Sequence, residues 1–199
     1  MTLVEELSPA VLSEASTPVL ESERLVLRAP CFEDAETIAR LANDRRIGEN
    51  TTRIPYPYRL ADAEAFIAQA NKGQGELSLL ITFDGEPIGG CGLAQLEGPA
   101  PDLGYWLGAP YWGNGYATEA SRALIDHAFA ALGCEALQAG ARVTNPASRR
   151  VLEKCGFQWT GVGLYRIRAL NSSAPIDRFR LDRGIWASLK SWGRVKRVA

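Results

Sequence analysis

Apolar residues recur along the chain with two periods, one typical of strands and one typical of helices. Alternating or continuous apolar runs predict strands, at 24–28, 77–83, 88–96, 102–107, 137–143, 158–168 and 176–182. Apolar positions three and four residues apart predict helices, at 33–43, 61–71, 116–132 and 146–155, with a short helix after the last strand. Asp84-Gly85 joins two strands in an antiparallel hairpin. We expect a mixed α/β (α+β) fold whose central, twisted, mostly antiparallel sheet has about six to seven strands and about four flanking helices.

The strand over 102–107 leads through a glycine-containing loop, 108–115, directly into the helix that begins near Tyr116. The amides of a first helical turn have no partner within the helix and carry the positive end of its dipole, which suits a phosphate. Gly113 and Gly115 let the backbone approach such a group closely. The alternative is that both glycines serve only a tight connection. The segment matches neither the P-loop nor the dinucleotide fingerprint, which weakens a nucleotide-binding interpretation.

Composition restricts the class of protein. The chain has 199 residues, of which 46% are hydrophobic and 23% charged, as expected for one globular domain without a membrane span. We expect this domain over 22–199, preceded by a loosely held arm over 1–21 that shows no sustained period. The net charge of -1 lacks the basic excess of nucleic-acid-binding domains. Neither nucleic acid nor a membrane is therefore an expected partner.

Cysteine and histidine usage predicts no metal site. The four cysteines are scattered, and the single histidine, His127, has no ligand spacing to them. The N-terminus is acidic and lacks the apolar segment of a signal peptide. We expect a cytoplasmic protein with reduced thiols.

The helix that follows Asn145 places several side chains on one inward face. Ser148, Leu152 and Cys155 recur there at helical spacing. A serine on a buried face is commonly satisfied by the carbonyl one turn back, and a buried cysteine commonly acts as a small apolar residue. Spacing alone thus favours a structural role for Ser148.

Two motifs resemble those of a known enzyme family. Residues 111–120, Y-W-G-N-G-Y-A-T-E-A, are similar to motif A of the acetyl-CoA-dependent GNAT acetyltransferases, in their RimJ/RimL-like branch. Residues 145–157, with the pattern N-x-x-S-x-x-V-L-E-K-x-G-F, are similar to motif B. The motifs occur in the family's order, and the resemblance extends over about residues 22 to 183. It implies the GNAT fold, with a splayed strand pair at the CoA site.

The resemblance implies that the loop at 112–118 holds the pyrophosphate of acetyl-CoA, and that the pantetheine arm lies between strands ending near Leu107 and Leu137. Trp112 stands where the family's phosphate loop usually has Arg or Gln, which leaves the backbone amides intact. Acetyl-CoA is then the co-substrate, and no metal is implied. The residues implied in CoA binding are Trp106, Leu107, Trp112, Gly113, Asn114, Gly115, Tyr116, Ala117, Thr118, Asn145 and Ser148.

The resemblance also implies catalytic roles. Many members carry a tyrosine as general acid at the position of Leu152, so Ser148 becomes the substitute that donates to the CoA sulfur. Asn145 is expected to orient the pantetheine arm or to cap the helix. For the proton of the attacking amine, Asp102 and Glu49 are candidate bases, and a water chain or no base at all is the remaining alternative.

The acceptor side is expected in the segment 47–60, where Glu49, Tyr56 and Tyr58 are candidates for binding the substrate. The resemblance implies an N-acetyltransferase that acetylates a primary amine by direct attack on the thioester. The acceptor is either a protein N-terminal amine or a small molecule. The alternative is a CoA-binding sensing or assembly module without catalysis. A homodimer is compatible with the resemblance, because dimers are common among such enzymes.

Overall fold

The computed structural model of the protein describes residues 17–72, 75–95 and 99–192. Within these ranges the strands are β1 Leu20–Glu21, β2 Leu25–Arg28, β3 Glu76–Phe83, β4 Glu86–Ala94, β5 Asp102–Leu107, β6 Ala136–Arg142, β7 Gln158–Ile167 and β8 Ser172–Asp182. The helices are α1 Ala35–Ala42, α2 Arg45–Gly48, α3 Leu60–Ala70, α4 Tyr116–Ala130, α5 Pro146–Lys154 and α6 Arg183–Trp192. None of these described helices combines the length and the apolar content needed to cross a membrane. The predicted mixed α/β class is confirmed, with slightly more strands than expected.

The strands form one eight-stranded sheet in the order β1-β2-β3-β4-β5-β6-β8-β7. All neighbours are antiparallel except β5 and β6, which are parallel and joined by the α4 crossover. This pair is bridged only at its start, by Asp102 with Gln138 and by Leu103 with Ala139. From Gly104 onward the two strands separate, so the predicted splayed pair consists of β5 and β6.

Helices cover both faces of the sheet, and strand alternation decides which residues each layer buries. Along β3, Leu79 and Ile81 belong to the same apolar cluster as Phe129 of α4. Leu80, between them, belongs to the cluster that contains Ile67 of α3. The splay of β5 and β6 therefore opens between two helical layers, each held by its own apolar core.

Two predicted positions need correction. β8 begins at Ser172, because the chain turns through a short 3-10 helix and then through Asn171, whose φ of 49° is left-handed. Residues 172–175 therefore belong to this strand, which the sequence pattern predicted to begin at 176. Leu137 lies near the start of β6, and Arg142 ends this strand. Since parallel strands end at the same edge of a sheet, Arg142 and not Leu137 flanks the open end of the splay.

The predicted arm over 1–21 falls mainly on residues 1–16, which lie outside the described residues. Its last two residues, Leu20–Glu21, form β1 and pair antiparallel with Leu27 and Val26 of β2. Sheet pairing therefore begins before residue 22, the predicted start of the domain.

The carboxylate of Asp34 anchors the start of α1 to β2. Arg28 Nη1 and Nη2 donate to it at 2.8 and 2.7 Å, and the Cys31 amide donates to it at 2.9 Å. Burial by itself raises the pKa of Asp34, but these bonds outweigh burial and lower the pKa to about 2. The folded protein therefore stabilises the ionised carboxylate, by roughly 2 kcal/mol for a shift of this size.

We expect Asp34→Asn to lower the free energy of unfolding by about 2 kcal/mol at neutral pH. Because the folded pKa lies below the ordinary value of 3.8, this contribution is complete above that value and disappears as the pH falls toward 2. The deficit of the variant should shrink accordingly between neutral pH and pH 3, as measured by urea unfolding. Asp84→Asn, in the exposed β3–β4 turn, is the control. A deficit that does not change with pH would contradict the assignment.

Candidate active site

The loop between β5 and α4 presents backbone amides to its surroundings. Gly113 and Gly115 have φ values of 81° and 83°, in the left-handed region that favours glycine. Gly115 is the N-cap of α4 and supplies no capping side chain, so the amides of the first turn remain available to an anion. A Cβ at Gly113 would meet no described atom within 4 Å. This side of the loop is therefore open to a ligand.

Arg24, just before β2, braces this loop. Its guanidinium forms an ion pair with Glu119 at 2.7 Å, donates to the Asn114 carbonyl at 3.2 Å and lies 4.6 Å from the centre of the Tyr116 ring. Burial raises the pKa of Glu119, but the hydrogen bonds from Arg24 and Ser22 outweigh it and the pKa is lowered. Sequence reasoning assigned Arg24 only to a strand, because 95 residues separate it from Glu119 and no local motif links them.

Two side chains of the predicted CoA loop serve the structure of the loop itself. Trp112 Nε1 donates to the Leu107 carbonyl at 2.8 Å, and the Trp112 ring lies 4.9 Å from the Arg46 guanidinium. Asn114 Nδ2 donates to the carbonyls of Tyr111 and Trp112 at 3.3 and 3.2 Å. These bonds hold the turn and leave its backbone amides to a ligand.

The first turn of α4 contains the next predicted CoA residues. The Tyr116 ring packs against Phe83, with 5.2 Å between ring centres, and Ala117 packs against the main apolar core. The Thr118 carbonyl accepts a bond from Cys155 Sγ at 3.8 Å, and burial raises the pKa of this thiol to about 11. Cys155 is thus a buried, protonated thiol.

In the described part of the chain, no three His, Cys, Asp or Glu residues are grouped so as to hold a metal ion.

A cavity of about 360 Å³ extends from the splay toward α1 and α3. Four of the strand residues that line it are glycines on neighbouring strands, namely Gly90, Gly92, Gly104 and Gly140. A Cβ at Gly104 would meet no described atom within 4 Å. Trp106 forms part of the wall. At Gly104 the missing side chain therefore leaves open space, whereas Gly90, Gly92 and Gly140 allow neighbouring atoms to approach the strands closely.

Ser148 and Tyr105 form a hydroxyl pair in the cavity wall. Their oxygens lie 2.8 Å apart, where α5 approaches β5. Ser148 thus bonds to Tyr105, whereas spacing alone had favoured the carbonyl one turn back. Asn145 Oδ1 accepts from the Ser148 amide at 3.1 Å and so caps α5. Burial raises the pKa of Tyr105 to about 12, and the phenol therefore stays protonated at neutral pH. Sequence reasoning did not find Tyr105, which lies 43 residues from Ser148.

Asp102, a predicted candidate base, is buried at the start of β5 and lines the cavity. Its Oδ1 lies 2.8 Å from Nη2 of Arg178, which also donates to Gln138 Oε1 at 2.7 Å. The Arg178 guanidinium lies 5.2 Å from the centre of the Tyr165 ring. Asp102 is therefore engaged by a cation and helps to orient Arg178 in the wall.

The three residues predicted to bind the acceptor occupy different places. Tyr58 is buried and lines the cavity, and burial raises its pKa to about 12. Tyr56 is 45% exposed, and the Glu49 carboxylate pairs with Arg45 at 2.6 Å. The Glu49 carbonyl accepts a bond from Arg142 Nη1 at 2.9 Å. Of the three, only Tyr58 belongs to the described lining of the cavity.

Comparisons with known proteins identify the family of the chain. A model of the acetyltransferase (GNAT) domain matches residues 24–158. The uncharacterized N-acetyltransferase p20 of Bacillus licheniformis is 30% identical over 150 residues, which cover 72% of this chain and 84% of that protein. The uncharacterized N-acetyltransferase YoaA of Bacillus subtilis is 34% identical over 156 residues, covering 73% of this chain and 85% of that protein.

The fold is similar to that of a solved CoA complex. RimJ of Mycobacterium smegmatis, in complex with CoA-disulfide, matches with a TM-score of 0.75 and 20% identity, over 89% of this chain and 96% of that chain. The sequence matches and this shared fold confirm the resemblance inferred from the two motifs. The chain therefore belongs to the GNAT acetyltransferase family, and RimJ/RimL-like enzymes are among its structural neighbours.

Proposed function

We propose that this protein transfers the acetyl group of acetyl-CoA to a primary amine. The proposal rests on three features that one part of the fold combines. They are the open start of α4, the splay between β5 and β6, and the Ser148–Tyr105 pair. The start of α4 suits a pyrophosphate, and the splay suits the extended pantetheine arm with its amides. The hydroxyl pair supplies a proton where the thiolate leaves. The N-acetyltransferase relatives support the same reaction.

The residues present fit acetyl-CoA, which supplies an activated acyl group when it is bound. The amides of 113–118 would hold its pyrophosphate, because the Trp112 amide already donates to the Ala109 carbonyl at 3.3 Å. The depression beside Gly115 is lined by three cations and four carboxylates, so the fit to phosphate rests on the backbone amides and not on surplus positive charge. Beyond Leu103, the edges of β5 and β6 do not pair with each other, and their backbone groups are available to the amides of the pantetheine arm.

The hydroxyl pair handles the proton on the sulfur side. As the amine attacks, the new N–C bond forms, the C–S bond breaks and the sulfur takes the electron pair. Ser148 passes its proton to this sulfur and takes the Tyr105 proton across the 2.8 Å contact. A proton from solvent then restores the Tyr105 hydroxyl before the next turnover. Since burial raises the pKa of Tyr105 to about 12, the pair keeps its protons throughout the neutral range. A positioned general acid contributes about 10²–10⁴-fold to the rate.

On the amine side, the attacking nitrogen loses a proton. The Glu49 carboxylate pairs with Arg45 at 2.6 Å, outside the described lining of the cavity, and Asp102 is engaged by Arg178 at 2.8 Å. These pairings favour the water chain over either carboxylate as the route for this proton. In this mechanism Asp102 acts by orienting Arg178.

The proposal is tested by following CoA thiol release from acetyl-CoA with Ala-, Ser- and Thr-initiated peptides, amino acids, polyamines and aminoglycosides, against a blank without acceptor. We expect release above the blank with at least one primary amine, accompanied by the acetylated product in a mass spectrum. CoA should also raise the thermal unfolding temperature more than ATP or NAD at equal concentration. Intact CoA binding with release no faster than the blank would indicate a CoA-binding module without catalysis.

A further inference from the structure

The carboxylates in the described lining of the cavity are each paired with an arginine. Asp102 lies 2.8 Å from Arg178, and Glu76 lies 2.8 Å from Arg53. Arg142 lines the same cavity, and no carboxylate of the described residues forms an ion pair with it. Three arginines thus face two carboxylates, and this lining carries one surplus positive charge.

The hydrogen bonding of Arg142 is incomplete. The residue ends β6, opposite Ile176 of β8. Its Nη1 donates to the Glu49 carbonyl at 2.9 Å, whereas its Nε is buried and has no hydrogen-bond partner among the described residues. A buried donor without an acceptor is unfavourable, and the planar fork of a guanidinium suits a carboxylate or a phosphate. The wall at Arg142 is therefore complementary to an anion.

We propose that Arg142 binds an anionic group of the acceptor, so that the substrate is a primary amine that also carries a carboxylate or a phosphate. This inference rests on the proposed function, because it places the acceptor in this cavity. Ser148 and Arg142 both line the cavity, so an anion held at Arg142 keeps the amine near the hydroxyl pair. A polycationic amine would instead bring like charge against Arg142 and its neighbour Arg178.

The test compares acceptors that differ in one anionic group. The peptide arm uses C-terminally amidated Ser-Glu-Ala against Ser-Gln-Ala, and the small-molecule arm uses phosphoethanolamine against ethanolamine. Calorimetry measures binding to the protein saturated with CoA, and thiol release measures turnover with acetyl-CoA. We expect the anionic member of at least one pair to bind at least about tenfold more tightly and to show a lower KM. The arm that shows the preference identifies the source of the anion.

Variants assign the preference to one residue. Arg142→Gln is expected to reduce the ratio of affinities between the anionic and the neutral member to about twofold or less. Its affinity for the neutral member should stay the same. Arg53→Gln is the matched control, because it removes the same charge from the same cavity at an arginine already paired with Glu76. Arg142→Lys keeps the charge without the fork and should retain only part of the preference. Thermal unfolding shows whether each variant is folded.

Equal binding of both members of each pair by the wild type would overturn the proposal. An unchanged preference in folded Arg142→Gln, or in Arg142→Lys if the glutamine variant does not fold, would also overturn it. A binding preference that depends on Arg142, without turnover of any acceptor, would contradict the proposed transferase function and leave the anion site in place.

Discussion

Ser148→Ala is expected to lower kcat by about 10²-fold or more, with the Kd for CoA little changed. The substitution removes the hydroxyl that lies 2.8 Å from Tyr105 and that donates toward the leaving sulfur. It should leave α5 intact, because the Asn145 cap bonds to the backbone amide of residue 148 and alanine is a good helix former. Steady-state kinetics and calorimetric CoA binding together separate a catalytic loss from a binding loss.

Tyr105→Phe should act on the same step, with a smaller fall in kcat of about tenfold. Because both hydroxyls belong to one relay, the double variant should be close to Ser148→Ala alone rather than to the product of the two effects. Since the pKa of Tyr105 is about 12, loss of its proton should not reduce the wild-type rate up to about pH 9.

Ser188→Ala is the matched control, because Ser188 is exposed on α6 and its hydroxyl donates to the Gly184 carbonyl of its own helix. It should keep the kcat of the wild type. A Ser148→Ala variant with unchanged kcat would remove Ser148 from the mechanism. Fully multiplicative effects in the double variant would contradict the relay and leave two independent contributions.

The features that could be predicted from the sequence are those encoded in one continuous segment. Gly113 and Gly115 stand between a strand pattern and a helix pattern, and the structure places them at the open start of α4 with the left-handed φ that only glycine adopts easily. Asn145 likewise marks the start of α5 and caps it. Local sterics and local hydrogen bonds decide such features, so a short stretch of sequence contains the necessary information.

Features made by residues far apart in the chain could not be predicted. The partners of Ser148 and Glu119 are Tyr105 and Arg24, which belong to other strands or their flanks. The surplus charge at Arg142 depends on which arginines find carboxylates after the sheet has formed. These pairings follow from the order of the strands in the sheet, which the hydrophobic pattern does not specify.

Gly115→Val is expected to weaken CoA binding by about tenfold to a hundredfold. A β-branched residue in the left-handed region is strained by roughly 1–3 kcal/mol. The loop can relieve this strain by turning, but turning moves the first-turn amides of α4 away from the position that suits a pyrophosphate. The Cβ itself would lie 3.5 Å from the Arg24 guanidinium, an ordinary van der Waals contact, so the expected effect comes from the backbone conformation. Calorimetry with CoA measures the loss.

Gly133→Val separates loop geometry from the stability of the helix. Gly133 follows the other end of α4, has a similar left-handed φ of 69°, and offers a Cβ no described contact within 4 Å. Both variants should therefore lose similar unfolding free energy in urea, while only Gly115→Val loses CoA affinity. An equal loss of affinity in both would mean that binding depends on the stability of α4 as a whole. Unchanged affinity in Gly115→Val would contradict the assignment of the phosphate to these amides, because the substitution alters the loop at the residue that begins the helix.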